Sequence, residues 1–173
     1  MRNQTSRPGV TLVEILVVLA IVTMLASAAA IVVRRLDMQA KEESLKNTFT
    51  LLEGALGEYY DAQGQFPVQT VSATQGKDAA ACRTLALQHN QQVMEALQAE
   101  ASSMEILNKI DAASRKNLYL PQRQDGQPDK VCEVYDPWGT AIDYVYAKGD
   151  NFPSLRSAGP DTVFGTADDV ANR

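Results

Sequence analysis

From Val10 to Val33 the chain runs for 24 consecutive residues with a single charge, Glu14. As a helix rising about 1.5 Å per residue, that run reaches roughly 36 Å, enough to cross a hydrocarbon layer of roughly 30 Å. Such a segment is either cut away after export or kept as a membrane helix. The remainder, Arg34 to Arg173, is polar enough to be soluble and long enough to bury a small core. A balance of 16 basic to 21 acidic residues leaves a net charge of −5. No Lys/Arg tract is present to follow a phosphate backbone, so nucleic acid is not an expected partner.

Two fates fit the N-terminus. As a secretory signal peptide, Arg2 and Arg7 form the basic region, Ile15 to Leu25 the apolar core, and "ASA" at Ala26–Ala28 the cleavage site. The product is then a secreted, soluble, calcium-stabilised binding module beginning at Ala29. As a retained helix, the run continues past that site to Val33, and Glu14 stands directly before the apolar core. The head "MRNQTSRPG" is basic without an acid, which favours a cytoplasmic start; Arg34 and Arg35 on the other flank weaken that bias.

A carboxylate well inside a membrane costs on the order of 2.5–3.5 kcal/mol. Glu14 lies in the first turns of the helix, where the macrodipole favours an anion. A cut between Gly9 and Val10 offers a second remedy: the new ammonium at Val10 lies one turn before Glu14 and could pair with it or with the Glu of an adjacent copy. The plain alternative is a border carboxylate that reaches the headgroups.

The order "GVTLVEILVVLAIVTMLAS", Gly9 to Ser27, is similar to the class III leader of type IV pilins and type II secretion pseudopilins. That resemblance implies a leader of residues 1–9, cleavage after Gly9 and N-methylation of Val10 by a prepilin peptidase. It also implies an assembly role for Glu14, neutralising a neighbouring subunit's N-terminus. The expected setting is the bacterial inner membrane, with one pass over residues 10–33 and a periplasmic head. There the chain would polymerise with itself and other pilin-like subunits on an inner-membrane assembly platform. Three positions depart from the common pattern: Val10 stands for Phe, Ile31 for a helix-bending Pro, and Thr23 for Gly.

Past Arg35 the apolar pattern becomes periodic. Leu45, Phe49, Leu52, Leu56 and Tyr59 recur at steps of four and three, so residues 34–62 read as an amphipathic continuation of the same helix. Gly64 and Pro67 stop it near Asp61, and Gly54 and Gly57 offer close backbone packing. Residues 63–173 form the globular head. Within it, 68–77 is a loop, and 78–114 reads as an extra helical insertion expected to carry individual specificity. Its lone His89, in a Gln/Asn-rich segment, reads as a solvated residue.

From Val131 on, "VCEVY" and "AIDYVYA" flank the turn "DPWGT", with Ile142, Tyr144 and Tyr146 alternating onto one sheet face. Trp138 reads as a packing anchor. "YYDAQGQFP" and "DPWG" resemble phrases of the major pseudopilin head. The fold class is therefore α+β, a long helix packed on a small antiparallel sheet.

The segment "SAGPDTVFGTADDV" places Asp161, Asp168 and Asp169 close together, with Gly159 and Gly165 for tight turns. Three neighbouring carboxylates are either solvated or bridged by a hard cation such as Ca²⁺. The resemblance implies the calcium loop of major pseudopilins, held by those aspartates and by the carbonyls of Ala158 and Thr166. Cys82 and Cys132 lie in no C-x-x-C pattern. In an exported head they would be two buried thiols or one disulfide, the bridge worth roughly 4 kcal/mol. With no G-x-S-x-G, H-E-x-x-H or phosphate-cradling glycine loop, an enzyme is not expected. The resemblance favours a type II secretion pseudopilus subunit, with a type IV pilus minor pilin or another pilin-like protein as the alternative.

Overall fold

A computed structural model describes residues 12–119 and 130–172. The chain forms two compact units that divide between Ala40 and Lys41. Helix α1, Leu12–Gln63, belongs to both. Its end matches the expected stop: Gly64 takes a left-handed φ of 72°, and its N–H donates to the Tyr60 carbonyl at 2.7 Å, the glycine cap of an α-helix.

In the second unit, Leu45, Phe49, Leu52 and Leu56 are buried as their spacing predicts. They meet the apolar face of α2, Ala79–Ala99, where Val93, Met94 and Leu97 are buried. Asp78 caps α2 by accepting the Ala81 N–H at 2.8 Å. The expected single helical insertion is interrupted at Glu100, whose extended backbone separates α2 from α3, Ala101–Leu107. Gly54 of α1 lies against Ile106 of α3, while a side chain at Gly57 would meet nothing within 4 Å. Close packing therefore involves Gly54 alone. The Ser103 hydroxyl of α3 donates to the Ala55 carbonyl at 2.9 Å, a buried bond between the two helices.

The strands make two sheets, not one. β1, Arg115–Tyr119, and β2, Lys130–Val134, form an antiparallel pair. β3, Asp143–Val145, β4, Ser154–Ser157, and β5, Val170–Ala171, form an antiparallel sheet in that order. Ile142, Tyr144 and Tyr146 all face the core, as their alternation predicts. The 136–140 turn also forms as expected. Asp136 accepts the N–H groups of Trp138 and Thr140 and the hydroxyl of Ser157, and burial pushes its carboxyl up against those bonds.

Where β2 meets the start of β3 the ladder is split. Ile142 N–H donates to the Val134 carbonyl at 3.1 Å. The complementary bond is replaced by the amide of Asn90, on α2. Its Oδ1 accepts Val134 N–H at 2.9 Å, and its Nδ2 donates to the carbonyls of Ile142 at 2.9 Å and Val134 at 3.0 Å. Asn90 is 2 % exposed.

Replacing Asn90 by Ala leaves Val134 N–H and the Ile142 carbonyl buried without these bonds. At about 1–3 kcal/mol for each stranded group, Asn90→Ala is expected to lower head stability by about 3 kcal/mol, measured from the urea midpoint of Trp138 emission. A change under about 1 kcal/mol would show that the amide is dispensable.

Candidate functional site

The chemistry-bearing residues fall in three places. At the N-terminus, Gly9 and Val10 lie outside the described residues. Glu14 sits in the first turn of α1, on an exposed surface. Around and beyond it, the apolar side chains from Leu12 to Val33 are exposed wherever described, Leu12 at 81 % and Leu16 at 61 %. By length and composition this part of α1 can cross a membrane. Its two hydroxyl side chains are satisfied internally: Thr23 Oγ1 donates to the Ala20 carbonyl at 2.9 Å and Ser27 Oγ to Met24 at 2.8 Å. Hydroxyls turned back onto the preceding turn present little polar surface to an apolar surrounding.

At the C-terminus the expected aspartates come together in one loop, each bonded to it. Asp161 Oδ1 accepts Val163 N–H at 2.8 Å, and Asp168 Oδ2 accepts Asp161 N–H at 3.1 Å. Asp169 Oδ2 takes Gly165 N–H at 2.9 Å and faces Arg156 Nη1 at 3.4 Å. The Thr166 carbonyl accepts Asp169 N–H at 3.4 Å, and Ala158 is fully buried against Phe164 and Cys82. Gly159 is required at its position: its φ is 67°, and a Cβ there would lie 2.1 Å from the Asp168 carbonyl oxygen.

For a hard cation the donors are right in kind, and Asp169 Oδ1 is buried with no hydrogen-bond partner. The arrangement is not a ready-made cage: among the described residues no three acidic, His or Cys side chains are gathered to hold a metal.

The third place is the contact of α2 with the strands. His89 is not solvated, as its Gln/Asn-rich surroundings suggest; it is 4 % exposed, and its Nδ1 lies 2.7 Å from Asp143 Oδ1. Asp143 Oδ2 accepts Ala73 N–H at 2.9 Å, so the pair ties the 72–76 segment, α2 and β3 together. Ser72 Oγ reaches Asp143 at 3.4 Å, on the carboxylate and not on the imidazole, so this is no nucleophile–base arrangement. Glu133 is likewise buried, accepting from Gln91 Nε2 and the Tyr135 hydroxyl, both at 2.5 Å. Burial and then that bond push the Tyr135 hydroxyl well above its ordinary range.

The disulfide is not formed: Cys82 and Cys132 are separate buried thiols. Cys82 lies in the first turn of α2, whereas Cys132 N–H donates to Gln98 near the other end. Sixteen residues of helix put those ends about 24 Å apart, well beyond the reach of a disulfide. Burial raises the Cys132 thiol above its usual range. Sequence reasoning also missed Arg83, which forks onto Thr162, Nε to the carbonyl at 3.0 Å and Nη2 to Oγ1 at 2.9 Å. Thr162 holds a φ of 59°, unusual for a β-branched residue and worth about 1–3 kcal/mol of strain.

Residues 5–30 match the family model described as the prokaryotic N-terminal methylation motif. No curated protein and no solved structure matches the chain. The motif covers Gly9, Val10 and Glu14 and is consistent with a type IV pilin-like protein.

The Thr166 hydroxyl, followed by Asp161 N–H, holds the Asp168 carboxyl below the usual carboxylate range. A depressed folded-state pKa contributes stability above the unfolded value, about 3.9 for Asp, and loses it as pH falls through the folded one. Thr166→Val is expected to raise the Asp168 pKa toward that ordinary value in an NMR titration. An unchanged value would mean that the hydroxyl does not set it.

Proposed function

We propose that this chain is a pilin-like structural subunit, of the type II secretion pseudopilus kind, that polymerises through its N-terminal helix in protein secretion. One observation carries the proposal: the methylation motif at residues 5–30 leads into a helix whose apolar side chains are exposed and whose sole charge up to Val33 is Glu14. An apolar surface of that extent needs covering by lipid or by other helices. In the proposed life cycle a prepilin peptidase removes residues 1–9 and methylates Val10. The helix is first anchored in the bacterial inner membrane with the head on the periplasmic side, and then packs among the helices of its own and other pilin-like subunits. The 136–140 turn and the acidic loop favour the secretion kind over a surface-pilus minor pilin.

Mass spectrometry of the membrane-extracted chain is expected to give a product beginning at methylated Val10. A soluble product beginning at Ala29 would overturn the proposal. Glu14→Ala is expected to keep processing and insertion but lose incorporation into filaments, read by cross-linking of neighbouring subunits; normal incorporation would remove the assembly role.

We further propose that the acidic loop takes Ca²⁺ through Asp161, Asp168 and Asp169 with the carbonyls of Ala158 and Thr166. The support is the hard-oxygen donor set and the stranded, buried Asp169 Oδ1. Bound there, the ion would offset the carboxylates' mutual repulsion and order the loop. Calcium is expected to raise the melting temperature over that in chelator, and Asp169→Asn to abolish most of the rise. Equal melting in calcium and chelator would exclude the site.

A further inference from the structure

The first turns of α2, the 135–141 turn and Thr162 of the 159–169 loop line an open cavity of about 340 Å³. Leu87, Trp138 and Tyr135 give it apolar walls, Thr140 and Thr162 add hydroxyls, and Arg83 supplies a cation. Arg83 and Leu87 are one helical turn apart on α2, so both face the cavity from the same side of the helix.

The charge is what sets this cavity apart. Two of the five guanidinium N–H groups are used on Thr162, which leaves three outside those bonds. Among the described residues no carboxylate stands within ion-pair distance of Arg83. In a chain of net charge −5, a fixed cation beside aromatic walls selects an anion. The fork onto Thr162 also holds the guanidinium in one plane, which reduces the ordering a ligand would have to bring about.

The walls narrow the class further. A bare inorganic anion would leave Leu87 and Trp138 unused. A sugar calls for acceptors around its hydroxyls, and the carboxylates beside the walls are engaged elsewhere: Glu133 by Gln91 and Tyr135, Asp136 by Ser157 and the turn N–H groups, and the exposed Asp161 by the Val163 N–H of its own loop. We infer that the cavity is a binding site for a free carboxylate carried beside an apolar side chain, the chemistry of a polypeptide's C-terminal residue. Its volume lies at the small end of ligand sites, enough for one residue and not for a long segment. Trp138, a packing residue on sequence grounds, is then both a packing residue and a wall of the site. The inference does not depend on filament assembly.

Trp138 is the sole tryptophan, so its emission reports occupancy directly. The full chain in detergent micelles is titrated with N-acetyl-leucine and, separately, with N-acetyl-leucinamide. The expected result is a saturable change with the acid and binding about tenfold or more weaker with the amide, the factor a lost charge-assisted bond supplies. Arg83→Gln is expected to abolish that preference, and Arg83→Lys, which keeps charge without the fork, to retain part of it. Because Arg83 also holds Thr162, Leu87→Glu serves as the second variant: it leaves Arg83 itself unchanged and places a carboxylate one turn away that repels the ligand and competes with it for the guanidinium, again with about tenfold loss or more. No saturable change, equal binding of acid and amide, or unaltered affinity in both Arg83→Gln and Leu87→Glu would overturn the inference.

Discussion

The head is organised around one side-chain amide inserted into a β-ladder. Between Val134 and Ile142 an antiparallel pair would exchange two backbone bonds; here it keeps one, and the Asn90 amide takes the place of the other. An amide side chain carries the same donor and acceptor as a peptide group, so it can complete a rung without leaving a buried group unpaired. The consequence is architectural. The opened rung lies where the described strands divide into β1–β2 and β3–β4–β5, and α2 is bonded to both.

Three consecutive residues of α2 show how completely the helix is engaged. His89 bonds to Asp143 of β3, Asn90 to Val134 and Ile142, and Gln91 to Glu133 of β2. Successive helical residues point about 100° apart, so partners at three in a row surround more than half of the circumference. The opposite requirement, that the spine helix hold its sheet, is met by Asn172. It pairs with the Leu155 backbone and donates to Glu53 of α1 at 2.8 Å.

What was legible in the sequence was whatever hydropathy encodes. The apolar run, the Leu45–Tyr59 stripe, the alternation of Ile142, Tyr144 and Tyr146, and the turn at Asp136 each signal through apolar spacing or turn chemistry, and each took the expected form. The segment "LQHNQQ" did not. Its polar residues carry the marks of a solvated face, and hydropathy gives the same value to an amide in water and an amide completing a ladder. The insertion expected to carry individual specificity is therefore central to the head. The two sheets were hidden for the same reason, since the rung where they divide is completed by a helix residue far from either strand in sequence. The disulfide failed on distance, which composition does not contain. In the acidic loop the sequence located the three aspartates, but the Arg156 and Arg83 contacts that shape their surroundings come from other elements.

Carboxylates show the contrast between the two units most clearly. In the head, Glu133, Asp136 and Asp143 are each buried and each surrounded by donors from their own chain, so burial is offset locally. Glu14 lies instead in an apolar run whose described side chains are exposed. The remedy that Thr23 and Ser27 use, donating a proton to a carbonyl of the preceding turn, is closed to an ionised carboxylate, which only accepts. On the proposed assembly its donors come from the start of the helix or from another molecule. Proteolysis after Gly9 would change that supply in kind, converting a peptide N–H into an ammonium one turn away. A charge tolerable at a membrane border would then become a matched pair in an apolar bundle, where the lower dielectric strengthens the attraction between an amine and an acid. On that proposal the leader does more than address the chain: its removal creates the ammonium that accompanies Glu14, the one carboxylate of the apolar run, into a polymer interior.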